Sequence, residues 1–77
     1  MKPNIELTLA AERHAKRRGL LPSIRGSALP ENLVKGDIVE FSTTAGSEAF
    51  VVLRRRFCIM DDGTQSFVIE LDHPIRS

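Results

Sequence analysis

The strongest chemical signal in the chain is a run of three arginines, Arg54-Arg55-Arg56, inside a stretch whose alternation reads as a strand. Guanidinium groups in a row suit phosphate oxygens, which they grip through charge-assisted hydrogen bonds. A second basic run, Lys16-Arg17-Arg18, would extend that surface if a helix end brings it close. Arg25 lies in Ser23-Ile24-Arg25-Gly26-Ser27, a segment able to turn backbone N–H groups toward an anion. Each feature also has a plainer reading. Arg54 and Arg56 share the even-numbered face with Glu40, Glu70 and Asp72 and can pair across strands. The Ser-Arg-Gly segment reads better as a solvated loop. Arg55 is different, because the alternation points it to the apolar side, where an unpaired guanidinium is strongly disfavoured. It must snorkel outward, sit beyond the core edge, find a carboxylate or mark a bulge.

The remaining reactive side chains are sparse. His14, His73 and Cys58 are the nitrogen and sulfur donors, and no C-x-x-C, H-x-x-x-H or H-E-x-x-H spacing joins them. No metal and no cofactor is expected. Asp61-Asp62-Gly63 is too short for a calcium loop and reads as a turn. No G-x-S-x-G or phosphate-cradling glycine motif is present, and Cys58 is expected beside apolar neighbours, where thiols are inert. His14 reads as a partly buried, hydrogen-bonded histidine on the sheet-facing side of a helix, and His73 closes the last strand before Pro74. No enzymatic activity or small-molecule substrate is expected.

Composition bounds the setting. The chain has 77 residues, with 11 Lys/Arg against 10 Asp/Glu, so any electrostatic argument must rest on local patches. Residues 1–77 form a single domain, with a core near the lower limit for independent folding. A lone cysteine excludes an internal disulfide and fits the cytoplasm. The N-terminal residues lack the apolar stretch of a signal peptide, and no segment is long enough for a membrane helix. There is no Trp or Tyr. Of the phenylalanines, only Phe50 falls off the predicted core face, so aromatic stacking of single-stranded nucleic acid is poorly supported.

Elements follow from periodicity. Residues 4–9 alternate as a short strand, and a helix follows that ends at Gly19, just after Lys16-Arg17-Arg18. A competing reading starts that helix with Thr8 as its N-cap; it is disfavoured because Leu9 would then lie on the polar face. Residues 20–36, punctuated by Pro22, Gly26, Pro30 and Gly36, read as an ordered covering loop, with one helical turn at Pro30–Leu33. Strands are predicted over Asp37–Ser42, Ala49–Met60 and Gln65–Asp72. Leu33-Val34-Lys35-Gly36-Asp37-Ile38-Val39-Glu40-Phe41, a Gly-Asp turn leading into alternating apolar residues, resembles the start of the first long strand in many small barrels. That pattern is shared by unrelated folds.

Parity assigns Val39, Phe41, Val51, Leu53, Phe57, Ile59, Phe67, Ile69 and Leu71 to one buried face. It calls for a three-residue Asp61-Asp62-Gly63 loop with Gly63 left-handed in a bulge. Phe57 then opposes Phe67, Leu53 opposes Leu71 and Arg54 opposes Glu70. The expected fold is α+β, in the order β-α-β-β-β. One short helix packs on a three- or four-stranded antiparallel, strongly twisted sheet, which would form a small partial barrel if it curls.

The even face keeps Ile38, Phe50, Val52, Cys58, Met60 and Val68 beside the charges, so it is covered by the helix and the 20–36 segment or else meets a partner. The leading expectation is a non-enzymatic protein–protein interaction module using that face, with homodimerisation as one form of it. Phe50, Val52 and Met60 would supply apolar contact, and Arg54 and Arg56 charged selectivity. The second expectation is a nucleic-acid-binding domain. Its phosphate contacts would come from Arg54, Arg55 and Arg56, helped by Lys16, Arg17, Arg18 and Arg25.

Overall fold

The computed structural model describes residues 3–44 and 46–74. The apolar alternation of Asn4–Leu7 forms β1, and Thr8 then breaks it. Thr8 is extended, and its hydroxyl accepts a hydrogen bond from the Ala11 N–H at 3.2 Å, which caps helix α1, Leu9–Arg17. The N-cap reading of Thr8 is therefore the correct one, and strand and helix coexist on either side of it. Leu9 is left 63% exposed, a local cost that the cap and the buried Ala11 and Ala15 outweigh.

The helix stops at Gly19, whose φ of 69° is the left-handed conformation that a side chain would resist. There the Gly19 N–H bonds the Lys16 carbonyl, and the Leu20 N–H bonds the Ala15 carbonyl. That is the double closure of a Schellman cap, and Leu20 folds back into the core.

The segment read as irregular contains a second helix, α2, Leu21–Arg25. Pro22 does not break it, because it stands in the first turn, where its missing N–H would have had no partner. Three strands complete the chain: β2 (Ile38–Thr43), β3 (Gly46–Ile59) and β4 (Gln65–Asp72).

All four strands form one sheet in the order β1-β4-β3-β2. The β2–β3 and β3–β4 pairs are antiparallel, but β1 runs parallel to β4, Asn4 beside Val68 through Leu7 beside Leu71. The sheet is therefore mixed rather than antiparallel, and it ends in two edges rather than closing into a barrel. The parallel pairing follows from the two-helix connection. It carries the chain away from β1 and returns it on the far side of the sheet, which a hairpin could not do.

A bulge in β3 decides the core. Val52 pairs with Leu71 and Arg54 pairs with Glu70, so Leu53 is an extra residue without an opposite number. Parity therefore reverses at Leu53. Before it, Phe50 and Val52 turn inward; after it, the odd-numbered Arg55, Phe57 and Ile59 lie on the helix side. The expected Leu53–Leu71 pair is corrected to Val52–Leu71. The Arg54–Glu70 and Phe57–Phe67 pairs form as expected, because they lie beyond the bulge.

The resulting core joins Ala11, Ala15, Leu20, Ile24 and Leu29 to Phe41, Phe50, Val52, Phe67, Ile69 and Leu71. Val51 and Leu53 are only half-buried, and Phe57 and Ile59 are exposed, contrary to the uninterrupted odd-face reading.

The β3–β4 turn is the three-residue loop that parity requires. Met60 and Thr64 close it through the Met60 N–H and the Thr64 carbonyl at 2.8 Å, and the Gly63 N–H reaches the Met60 carbonyl at 2.9 Å. Gly63 has a φ of 87°. No helix among the described residues is long and apolar enough to cross a membrane.

Candidate functional site

The bulge sorts the residues expected to bind. Phe50 and Val52 are 0% and 1% exposed, deep among the core side chains. Their side chains belong to the core and not to the exposed face on which the alternation places them. Arg54 and Arg56 stand on the opposite face, where no helix covers them. Each has a carboxylate: Arg54 Nε lies 2.9 Å from Glu70, and Arg56 reaches across β4 to Glu6 on β1 at 3.1 Å. The Cys58 thiol, and after it the Glu6 carboxylate, favour the charged Arg56 guanidinium and raise its pKa. Val68 lies beneath these pairs and is 7% exposed.

Arg18 is also paired, with Nε 2.9 Å from Glu48. Lys16, Arg17 and Arg25 are exposed. The arginine stripe and the helix-end cluster do not merge. From Glu48, which Arg18 holds, to Arg54–Arg56 is six to eight residues of strand, or roughly 20–26 Å at about 3.3 Å per residue. Arg54 and Arg56 also lie on the other side of the sheet.

The surface that stands out is the far end of β3 and β4. The β2 register stops at Val51, and backbone bonds to Gly36 and Asp37 end at Val52. The β1 register covers only Val68–Leu71 of β4. Arg54–Arg56 pair with Val68–Glu70, which β1 still covers; among the described residues, Phe57–Ile59 and Gln65–Phe67 therefore have no strand partner but each other. They form a two-stranded ribbon along a molecule 43 Å in its longest dimension. On the helix side Arg55, at the base of the ribbon, and Phe57 and Ile59 along it stand in a row, with Met60 at the turn. Phe57, Ile59 and Met60 are 62%, 72% and 62% exposed. Phe57 stacks on Phe67 with ring centroids 5.5 Å apart, and the Arg55 guanidinium carbon lies 5.3 Å from the centre of the Phe57 ring. Arg55 thus sits beyond the core edge, just after the bulge, and rests on an aromatic face instead of a carboxylate.

A second cluster lies at the other end of β3. His14 from α1, Glu48 from β3 and His73, one residue past β4, converge. Glu48 Oε2 is 2.9 Å from His14 Nε2. The two imidazoles stack, with centroids 3.7 Å apart and planes 11° from parallel, and both rings pack against Phe50. Thr8 ties the ensemble together. Its hydroxyl donates to Asp72 Oδ1 at 2.6 Å while it caps α1, and the same Asp72 oxygen accepts the His73 N–H at 2.8 Å. The hydrogen bond from His14, helped by the charges of His14 and Arg18, holds the Glu48 carboxyl below its usual range despite its desolvation. Desolvation and then the His14 charge push His73 below an ordinary histidine, against Glu48 and Asp72.

The expectation of a partly buried, hydrogen-bonded His14 agrees with this arrangement. The meeting of His14, Glu48 and His73 was missed because no local spacing encodes it. The signal lies in the strand register, which sets Val51 opposite Asp72 and so brings Phe50, with Glu48 two residues before it on the same face, to the level of His73. Cys58, the other donor considered, is on the ribbon and is not part of this group. No protein-family model, no curated protein and no solved structure matches the chain.

Proposed function

We propose that this domain is a non-enzymatic protein-interaction module that docks through the tip of the β3–β4 ribbon. The observation that carries the reading is the row Arg55-Phe57-Ile59. It holds a cation without a carboxylate partner among the described residues and two large apolar side chains, more than half exposed, on a ribbon that extends past both neighbouring strands. Arginine and aromatic residues carry a disproportionate share of binding energy at protein interfaces. Met60 keeps the role expected for it, while Phe57 and Ile59 replace Phe50 and Val52. Arg54 and Arg56 flank the patch but are already engaged with Glu70 and Glu6.

The patch fits an apolar groove with an acidic rim on another protein. A second copy fits less well, because the row offers a cation but no carboxylate with which a second Arg55 could pair across a two-fold axis. Nucleic acid is the weaker reading, since Arg54, Arg56 and Arg18 are all bonded to carboxylates. A lone thiol makes a reducing compartment such as the cytoplasm the natural setting.

The test compares wild type with Arg55→Glu and Ile59→Lys, two exposed changes that should leave the circular dichroism unaltered. A protein retained by wild type in cross-linking and pull-down, and lost with both variants, is the expected result. Partners that bind both variants as well as wild type overturn the reading. So does a wild-type dimer in sedimentation that Ile59→Lys dissociates, because the tip would then be a self-contact.

A further inference from the structure

We propose that His14, Glu48 and His73 form a binding site for a divalent transition-metal ion of the zinc type. The case rests on donor chemistry and convergence. Two imidazole nitrogens and one carboxylate oxygen, one from each residue, lie within 4.8 Å of one another. Such a donor set, with a water in the fourth position, suits tetrahedral zinc and is unsuited to calcium or magnesium, which take oxygen ligands.

The donors come from three different elements of the fold: α1, β3 and the end of β4. None depends on a long loop to reach the others. The supporting contacts are also in place. Arg18 holds Glu48 Oε1 at 2.9 Å, which leaves Oε2 turned toward His14. Asp72 holds the His73 backbone and, through the Thr8 hydroxyl, the start of the helix that carries His14. Half-burial against Phe50 limits competing water while leaving a way in from solvent.

Two changes are required. The Nε2 proton that His14 gives to Glu48 must move to Nδ1 or leave to solvent, so that the ion takes its place between the two atoms. A metal bound to an imidazole lies close to the ring plane, and two nearly parallel rings 3.7 Å apart cannot both aim at a single ion. One ring must turn out of the stack. His73, past the last residue of β4, has more freedom than His14, which is fixed to a helix and bonded to Glu48. Arg17 and Arg18 oppose an incoming cation, and the Glu48 and Asp72 carboxylates offset them. The metal therefore replaces a stacked imidazole pair with a chelate and couples the helix to the sheet.

The chain has just two histidines, so their ring signals can be assigned without ambiguity. Nitrogen-15 correlation spectra of both imidazoles should be followed during a zinc titration of the full chain at neutral pH. The expected result is that both rings move together and saturate at one equivalent, with loss of the ring-current shifts that stacking produces. In calorimetry, His73→Gln and Glu48→Gln should each weaken zinc binding by more than about tenfold, since losing even an outer partner of a ligand costs that much. Cysteine chemistry is the control: Cys58→Ser should leave the affinity unchanged, and the cobalt complex should lack a thiolate charge-transfer band. Movement of one ring alone, no movement in excess zinc, or loss of binding in Cys58→Ser overturns the site. The ring measurement uses wild type, so it decides the matter even if a variant fails to fold.

Discussion

At the scale of single residues, neighbours on β3 have opposite duties. Phe50 is fully buried and touches His14, His73 and Phe41 through its ring, whereas Arg54 is exposed and holds Glu70. Truncating a buried phenylalanine costs about 3–5 kcal/mol, while an exposed ion pair contributes about 1 kcal/mol or less. A chain of this length has only about 4–12 kcal/mol in total. Phe50→Ala should therefore lower the urea midpoint severely, and Arg54→Ala should barely move it. Equal effects would mean that Phe50 does not anchor the core. Asp62 supplies a pH prediction at the same scale. Hydrogen bonding to Thr64, including its N–H at 2.9 Å, lowers the pKa of the Asp62 carboxyl in the folded chain. A depressed folded value means a contribution that is complete above the unfolded pKa, about 3.9, and lost as pH falls through the folded one. In urea midpoints measured between about pH 5 and pH 2, Asp62→Asn should lack the part of the acid decline that wild type shows below about pH 4. If the two curves keep the same shape, the turn carboxylate is not linked to folding.

At the scale of elements, the bulge at Leu53 governs which side chains meet. With it, Phe50 and Val52 share a face with Leu71, and the Arg54–Glu70 and Phe57–Phe67 pairs still form farther along. Deleting Leu53 would leave an uninterrupted strand in which these two sets cannot both face the way they do. The deletion should abolish cooperative unfolding and collapse the amide dispersion in proton spectra. A well-dispersed, cooperative deletion variant would show that the sheet accepts either register. The bulge also explains what was readable in the amino-acid order. The strand β4, the Asp61-Asp62-Gly63 turn, the pairs beyond Leu53 and the helix stop at Gly19 follow from local rules, because each is set by a few adjacent residues. The inward turn of Phe50 and Val52 does not, since an extra residue leaves no mark in the pattern of apolar side chains. The parallel place of β1 is equally hidden, being decided by the path of the connection rather than by β1 itself. The ribbon patch is half legible: Met60 and the anomalous Arg55 stand out in the sequence, but Phe57 and Ile59 read as core, because the reach of β1 and β2 is not written in β3 itself.

At the scale of the whole molecule, β3 passes through two environments. From Gly46 to Val51 it pairs with β2, with the helices packed over one side; β4 joins it at Val51, the backbone bonds to Gly36 and Asp37 end at Val52, and from Arg54 to Ile59 it has β4 alone. Two-stranded ribbons are marginal in water, because each residue fixed brings few buried contacts. Stability should therefore fall along the strand rather than being shared evenly. Native-state hydrogen exchange can read this gradient. The comparison must be confined to amides bonded within the β3–β4 ladder, since an outward-pointing amide exchanges quickly for a trivial reason. Within that set, amides near Phe57, Ile59 and Phe67 should exchange faster than those near Val52 and Leu71, on the order of 100-fold for a few kcal/mol of local difference. Phe57–Phe67 stacking and the Arg55 contact work against this opening, but they lie on a side open to water and cannot match a packed core. A docked protein would cover that side, so protection at the tip should rise on binding while the Val52 end stays unchanged. Uniform protection along the free chain would show a ribbon as firm as the core, with no margin left for a partner to stabilise.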